Sequence, residues 1–333
     1  MTTEVPIIDL GRFIHGGETE RAETVAAVQA ALVDVGFLML SNHGVPEDLI
    51  SNLEKAALDF FDLPPDQKNL CSPGGKKANR GYGAVGTRTI GKTEDKTLPP
   101  SLQEGFGISA VDVPQGDPYY QTDVAKEIFV PNQWPAHPQE FGPLAVAYYR
   151  EMSRLFGQTM GLLAVALNLP ETYFEPMLSK HGSVLRLVHY PELDREPGPG
   201  EVRAGAHTDT GTLTILHIDD TPAALQVRTR SGTWIDINKV PGTFVINIGD
   251  LMMRWTNDLW TSNLHRVENP PLINGRSSRR LSIVYFCQTN YDTLVECLPG
   301  CSSASNPPKY APVIASQYSS QRAAERFGIA AVA

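Results

Sequence analysis

Residues 202–216, "VRAGAHTDTGTLTIL", set a histidine and an aspartate two positions apart, His207 and Asp209, just ahead of a run in which polar and apolar residues alternate. Alternation at period two marks a half-buried strand, and on an extended chain side chains two apart point to the same face. His207 and Asp209 can therefore reach one metal ion together, whereas on a helix the useful spacing would be four. The pattern by itself carries little weight. With 8 His and 37 Asp plus Glu in 333 residues, a His followed two later by an acid is expected about once by chance. The chain has a second such pair, His217 and Asp219, and Asp219 runs into "DDTP", a turn signal that places this pair at the surface end of a strand.

Outward from this stretch the texture is of short strands, expected at 183–190, 211–217, 224–229, 233–237, 243–249, 262–267 and 279–288. "RSG" (230–232) and Pro241-Gly242 supply hairpin turns between them. Many short strands at that spacing predict a β-sandwich or jelly roll. Upstream, "VPIIDL" (5–10) reads as a strand, 18–36 as a helix stopped by Gly36, and "FLMLSNHG" (37–44) as a buried strand. Pro46 opens a second helix that ends at Pro64-Pro65. Residues 72–135 are rich in Gly, Pro and Lys and weakly periodic, so they read as a long loop, a mobile lid or binding rim with Gly81 and Gly83 around Tyr82. A long helix is expected over about 138–168, and "SQYSSQRAAERFG" closes the chain as another. With no repeat or polar linker visible, the expectation is one compact α+β unit. Residues 1–135 form an N-terminal helical and strand region with a lid-like loop, and 136–333 carry the long helix, a jelly-roll catalytic core and the closing helix.

Composition narrows the partners. The formal charge of −9 disfavours nucleic acid and anionic membrane surfaces, which need a basic face. "MTTEVPIIDL" lacks a basic stretch followed by an apolar run, and no segment approaches 18 consecutive apolar residues, so a cytoplasmic location is expected. Cys71, Cys287, Cys297 and Cys301 form no C-x-x-C pair and read as reduced thiols.

A third ligand has to come from another strand, and His265 in "TSNLHRVEN" is the natural candidate, sharing a face with Val267 opposite Leu264 and Arg266. Enough strands intervene for the chain to fold back and bring it beside the pair. Two imidazoles and one carboxylate on one face of a metal, with open positions opposite, is the arrangement of non-haem Fe(II) oxygenases. In "RRLSIVYF" (279–286), Arg280, Ser282, Val284 and Phe286 share a strand face. A guanidinium with a hydroxyl on an inward face suits the distal carboxylate of a dicarboxylic acid, and a buried Arg needs such a counter-anion.

Several motifs together give the chain a family likeness: "VDVGFLMLSNHGVP", "HTD" followed by "HRV", "GDLMMRWTND" between them, and "RLS". Over nearly its whole length the sequence resembles the Fe(II)/2-oxoglutarate-dependent oxygenases of the isopenicillin N synthase-like family. The resemblance implies a double-stranded β-helix core with flanking helices. It implies Fe(II) on His207, Asp209 and His265, and 2-oxoglutarate held by its far carboxylate on Arg280 and Ser282, with a hydrogen bond from Tyr190 in "HYP". With O2, such a site oxidises a small organic molecule, usually by hydroxylation, and releases succinate and CO2. Two departures stand out. Val188 occupies the place, two residues before the Tyr, where the family often has Asn. The interval from His265 to Arg280 is a few residues longer than usual, and "RSS" at Arg276 offers a second Arg; Arg280 is preferred because the apolar "SIVYF" follows it.

"ANRGYGAVG", "LRLVHYP" and "VRAGAHTD" are most similar to the branch that contains fungal thymine hydroxylase, which implies a small heterocyclic substrate. Arg80, Tyr82, Arg203 and Phe286 are the candidate substrate contacts. His43, His189, Asp250 and Trp255 read as structural. Two other functions stay open at this point: an oxidative cyclase or desaturase on the same fold, and a non-catalytic jelly-roll ligand binder, against which the intact triad argues.

Overall fold

A helix is fixed where apolar side chains recur at three and four, and the stretch after Pro46 is the clearest case: Ile50, Leu53, Ala56, Ala57, Phe60 and Phe61 all lie on the buried stripe of one helix. A computed structural model describes residues 4–73, 80–87, 89–90, 99–220, 225–270 and 277–327. The N-terminal part runs β1 (Ile7–Asp9), α1 (Leu10–His15), α2 (Glu18–Asp34), β2 (Phe37–Ser41), α3 (Glu47–Phe61), α4 (Pro65–Asn69), β3 (Gly81–Gly83), β4 (Glu104–Ile108) and α5 (Asp123–Ile128). The long α6 (Phe141–Ala166) and short α7 (Glu175–Leu178) lead into β5 (Val184–Tyr190), β6 (Ala204–His207), β7 (Leu213–Ile218), β8 (Leu225–Arg228), β9 (Trp234–Ile237) and β10 (Thr243–Ile248). Then follow α8 (Asp250–Trp255), β11 (His265–Val267), β12 (Arg280–Cys287), the short pair β13 (Leu294–Val295) and β14 (Val313–Ile314), and α9 (Ala315–Phe327).

Two sheets form the core. The larger has strand order β1-β2-β10-β7-β12-β5-β4-β3, and the smaller β6-β11-β8-β9. Alternation along β12 shows how the larger sheet divides the interior. Leu281, Ile283, Tyr285 and Cys287 pack with Phe60 of α3 and Met152 and Leu155 of α6. The opposite face of the sheet carries Val188, Tyr190, Ile218 and Val245, which pack with Val227, Ile237 and Val267 of the smaller sheet. One face of the larger sheet is thus covered by helices, and the other closes over the smaller sheet as a jelly roll.

The region 72–135 differs from its reading as a loop. β3 and β4 extend the larger sheet, β4 pairing antiparallel with β5 from Glu104 opposite His189 to Ile108 opposite Leu185. Glycine weakens a strand and reads as a turn former, and these two strands contain Gly81, Gly83, Gly105 and Gly107. Residues 74–79, 88 and 91–98 of the expected lid lie outside the described residues. β6 was also not anticipated, because "AGAH" is too short for a period to register.

Candidate active site

β6 ends on His207 and β11 begins on His265, and the antiparallel register sets the two histidines directly opposite each other. Their ring centroids are 4.3 Å apart. Nδ1 of His207 lies 2.8 Å from the Gly205 carbonyl and Nδ1 of His265 lies 3.2 Å from that of Asn263. A carbonyl can only accept, so each Nδ1 carries the proton and each Nε2 keeps its lone pair for a metal. Both Nε2 atoms face Asp209, at 4.0 Å from Oδ1 for His207 and 3.7 Å from Oδ2 for His265. Among the described residues this is the group of metal-capable side chains whose ligand atoms converge, all within 4.8 Å of one another.

Asp209 is held from two sides. Thr214 Oγ1 and Asn247 Nδ2 donate to its Oδ2 at 2.6 and 2.9 Å, and its carbonyl accepts from the Asp250 amide at 2.7 Å. The turn around it leaves no room for side chains: a Cβ on Gly249 would stand 2.2 Å from the Gly211 carbonyl oxygen. Burial raises the Asp209 carboxyl, but the neighbouring His265 and His207, with the Thr214 and Asn247 donors, outweigh it and hold the group below its ordinary value. A deprotonated carboxylate and two imidazoles with free Nε2 are the donor set that suits divalent iron.

Pairing registers line up the inward side chains of the larger sheet in rows. Phe286, Thr214 and Asn247 form the row that supports Asp209; Gly107, Arg186, Val284 and Leu216 form the next. Gly105, Val188, Ser282 and Ile218 follow, and Tyr190 opposite Arg280 completes the series. Arg280 is 2% exposed, and its Nε donates to Ser282 Oγ at 3.3 Å. Tyr190 is buried, and desolvation raises its phenol against the opposing pull of Arg280, Arg203 and Arg186, so it remains an O–H donor at neutral pH. Asp219 lies at this end too, its Oδ2 accepting from the Leu281 amide at 2.5 Å.

The other sequence-derived candidates separate. Phe286 lies inward in the row beside Thr214. Arg203 is fully buried near Tyr190, with its guanidinium 5.4 Å from the ring centroid. Tyr82 points the other way, which corrects its reading as a substrate contact: its hydroxyl donates to Glu104 Oε2 at 2.5 Å and its ring meets Phe60 edge-on in the helix-covered face. As the register partner of Phe106 it must share that outer face. Arg80 is tied to the Ile128 carbonyl, to which Nη2 donates at 2.8 Å. His217 is buried and not at the surface as expected; it faces α3, with Nε2 2.8 Å from Glu54 Oε1, because Thr214 takes the inward side of β7. His43 accepts from the Val45 amide at 3.1 Å. Arg279 Nε donates to His189 Nε2 at 2.8 Å, so His189 Nδ1 donates to Glu104 at 2.8 Å. Trp255 is core, and Asp250 opens α8 and pairs with Arg322 at 3.1 Å.

Arg186 was missed by sequence reasoning. Once Tyr190 is placed inward, alternation along "LRLVHYP" puts positions 188 and 186 on the same face, and that signal was available.

Comparison with known proteins agrees with this geometry. Residues 5–137 match the family model described as the N-terminal region of non-haem dioxygenases in morphine synthesis, and residues 181–289 match that of the 2OG-Fe(II) oxygenase superfamily. A 2-oxoglutarate-Fe(II) type oxidoreductase, hxnY of Emericella nidulans, is 32% identical over 315 residues, covering 93% of this chain and 87% of that protein. A homoarginine-6-hydroxylase of Arabidopsis thaliana is 32% identical over 307 residues, covering 89% of this chain and 88% of that protein. The full-length thymine hydroxylase of Neurospora crassa, solved with alpha-KG and thymine, superposes with a TM-score of 0.83 at 31% identity over 96% of each chain. Among the described residues no helix is long and apolar enough to cross a membrane. The chain belongs to the 2OG-Fe(II) oxygenase superfamily, enzymes that use Fe(II), 2-oxoglutarate and O2 to oxidise small molecules.

Proposed function

We propose that this oxygenase holds iron through Nε2 of His207, Nε2 of His265 and the carboxylate of Asp209, and anchors the far carboxylate of 2-oxoglutarate on Arg280, Ser282 and Tyr190. Its substrate is a small planar molecule with carbonyl or carboxylate acceptors, bound by Arg186 and Phe286 and hydroxylated. Bound iron supplies the activation of O2, coupled to decarboxylation of 2-oxoglutarate to succinate and CO2. The protein's part is orientation and shielding. The Gly205 and Asn263 carbonyls fix the imidazole tautomers, Thr214 and Asn247 hold Asp209 in place by donating to its Oδ2, and the Tyr190 hydroxyl offers a donor beside Arg280.

The observation that carries the substrate reading is Arg186. Its side chain stands on the inward face of β5, between Gly107 and Val284, and has no hydrogen-bond or ion-pair partner among the described residues. Burial lowers it to about 10, so it is a cation at neutral pH. A desolvated guanidinium with an unused fork calls for a planar acceptor pair. Gly105 makes room for the guanidinium itself, since a Cβ there would come within 3.0 Å of Arg186 Nη2. The Neurospora crassa enzyme was solved with thymine, a planar ring with two carbonyls. An aromatic face beside an Arg fork suits that class of ligand.

Screening pyrimidines, other small heterocycles and small carboxylic acids for stimulation of succinate formation tests the proposal. The product separates the chemistries: gain of one oxygen means hydroxylation, loss of two hydrogens means desaturation or ring closure. Arg186→Leu is expected to cut stimulation by the best substrate about 100-fold, the worth of a lost charge-assisted pair, while leaving iron and 2-oxoglutarate binding intact. Wild-type stimulation in that variant would place the substrate elsewhere.

A further inference from the structure

We infer that the co-substrate subsite contains a second guanidinium, and that Arg203 shares the far carboxylate of the 2-oxo acid with Arg280. The inference deepens the proposal that Arg280 anchors that carboxylate and rests on it.

Arg203 is 0% exposed. Its Nη2 donates to the carbonyl of Ser278, two residues ahead of Arg280. Its Nε and Nη1 are buried and have no hydrogen-bond partner among the described residues. Two orphaned donors on one buried cation are rare in a folded protein, where such groups are nearly always satisfied. They imply an acceptor that completes the site.

The surroundings say which acceptor. The Arg203 guanidinium lies 5.4 Å from the centre of the Tyr190 ring, and Tyr190 is the register partner of Arg280. The three side chains therefore gather at one end of the interior. Burial lowers Arg203 to about 10, with Arg280 pushing the same way and Tyr190, Asp219 and Glu192 opposing, so its guanidinium is charged at neutral pH. The acids close by are already engaged: Asp219 accepts from the Leu281 amide, and Glu192 accepts from Ser277, Ser278 and the Arg279 amide. A carboxylate brings two oxygens with about four lone-pair directions, enough to serve both guanidiniums and the tyrosine hydroxyl.

The backbone makes the arrangement rigid. Arg203 immediately precedes β6 and lies four residues before His207, with a bulge in the β6–β11 pairing between them. Its carbonyl accepts from Gln103 Nε2 at 2.9 Å, which ties it to the segment leading into β4. A single stretch, 203–207, thus fixes the spacing between the iron and one of the two cations that grip the far end of the co-substrate.

The competing role for Arg203 is a clamp on Ser278 that sets where β12 starts. Binding measurements separate the two. Fe(II)-loaded full-length protein would be titrated by calorimetry under nitrogen with 2-oxoglutarate and with 2-oxopentanoate, which has the same chelating end but no far carboxylate. Arg203→Gln keeps an amide that can reach the Ser278 carbonyl, and Arg203→Lys keeps the charge without the fork. Arg203→Gln is expected to weaken 2-oxoglutarate about tenfold or more and 2-oxopentanoate by less than about twofold, with Arg203→Lys between wild type and Gln. Should the Gln variant fail to fold, the Lys variant carries the same comparison. Equal weakening of both ligands, or of neither, would overturn the second guanidinium. If wild type itself binds the two ligands equally, the Arg280 anchor falls first, and the inference with it.

Discussion

His207 and His217 stand at the same distance in sequence from an aspartate, yet His207 ends β6 facing Asp209 and β7 turns His217 outward. Thr214 on the inward side of β7 supports Asp209, which leaves His217 on the outer face against Glu54. Replacing His207 or His265 by Ala should therefore abolish iron binding. His217→Ala should retain the metal and lose about 1–3 kcal/mol of stability, because the Glu54 carboxylate is left without its donor. Metal analysis with thermal denaturation checks both, and iron loss in the His217 variant alone would contradict the assignment. Arg280→Ala should weaken 2-oxoglutarate on the order of 30-fold to several thousand-fold, from about 2–5 kcal/mol for a buried carboxylate stripped of its partner. Lys at that position should restore only part of it. Arg276, outside the described residues, should behave as wild type when changed to Ala. At this scale the metal-capable trio was legible because a His and an Asp two apart precede an alternating run and His265 lies in a recognisable motif, although β6 ends at His207 and Asp209 sits just beyond it. Tyr82 was misread because its flanking glycines suggested a loop, and a loop has no inner or outer face.

Between elements, the largest gap in the sequence reading was 72–135, and β4 explains what fills it. Glu104 on β4 joins Lys68 of α4 at 2.8 Å, Tyr82 of β3 at 2.5 Å and His189 of β5 at 2.8 Å, and Arg279 continues the chain to Asp62 at 2.8 Å. Nothing in composition or period announces pairings between such distant segments, so this network was invisible before the fold was known. Burial raises the Glu104 carboxyl, but hydrogen bonds from His189, Lys68 and Tyr82 together hold it below its ordinary value of 4.5. A carboxyl depressed in the folded state contributes stability above its unfolded value and loses it as pH falls through the folded one. Thermal midpoints of the wild type should thus drop below about pH 4.5 more steeply than those of Glu104→Gln, which should already be less stable at pH 7 by about 3–5 kcal/mol. Parallel midpoint curves for the two proteins across that range would remove Glu104 from the linkage.

For the molecule as a whole, the strand-and-turn texture after residue 183 was enough to indicate a jelly roll, and the spacing of apolar residues was enough for α2, α3, α6 and α9. The order of strands was not, because it depends on pairings between distant segments: β2 lies between β1 and β10, joining residues 37–41 to 243–248. The C-terminal helix is part of the same construction. Arg322 of α9 pairs at 3.1 Å with Asp250, whose amide holds the carbonyl of Asp209. The long-range arrangement brings β6, β11 and the start of β12 around one interior space, in which the proposed iron and co-substrate positions lie. Anomalous X-ray scattering at the iron edge, from crystals grown without oxygen in Fe(II) and 2-oxoglutarate, measures this directly. The expected result is one iron peak bonded to Nε2 of His207, Nε2 of His265 and the Asp209 carboxylate, with the far carboxylate of 2-oxoglutarate against Arg280. An iron peak away from these three side chains, or a co-substrate whose far carboxylate avoids Arg280, would contradict it.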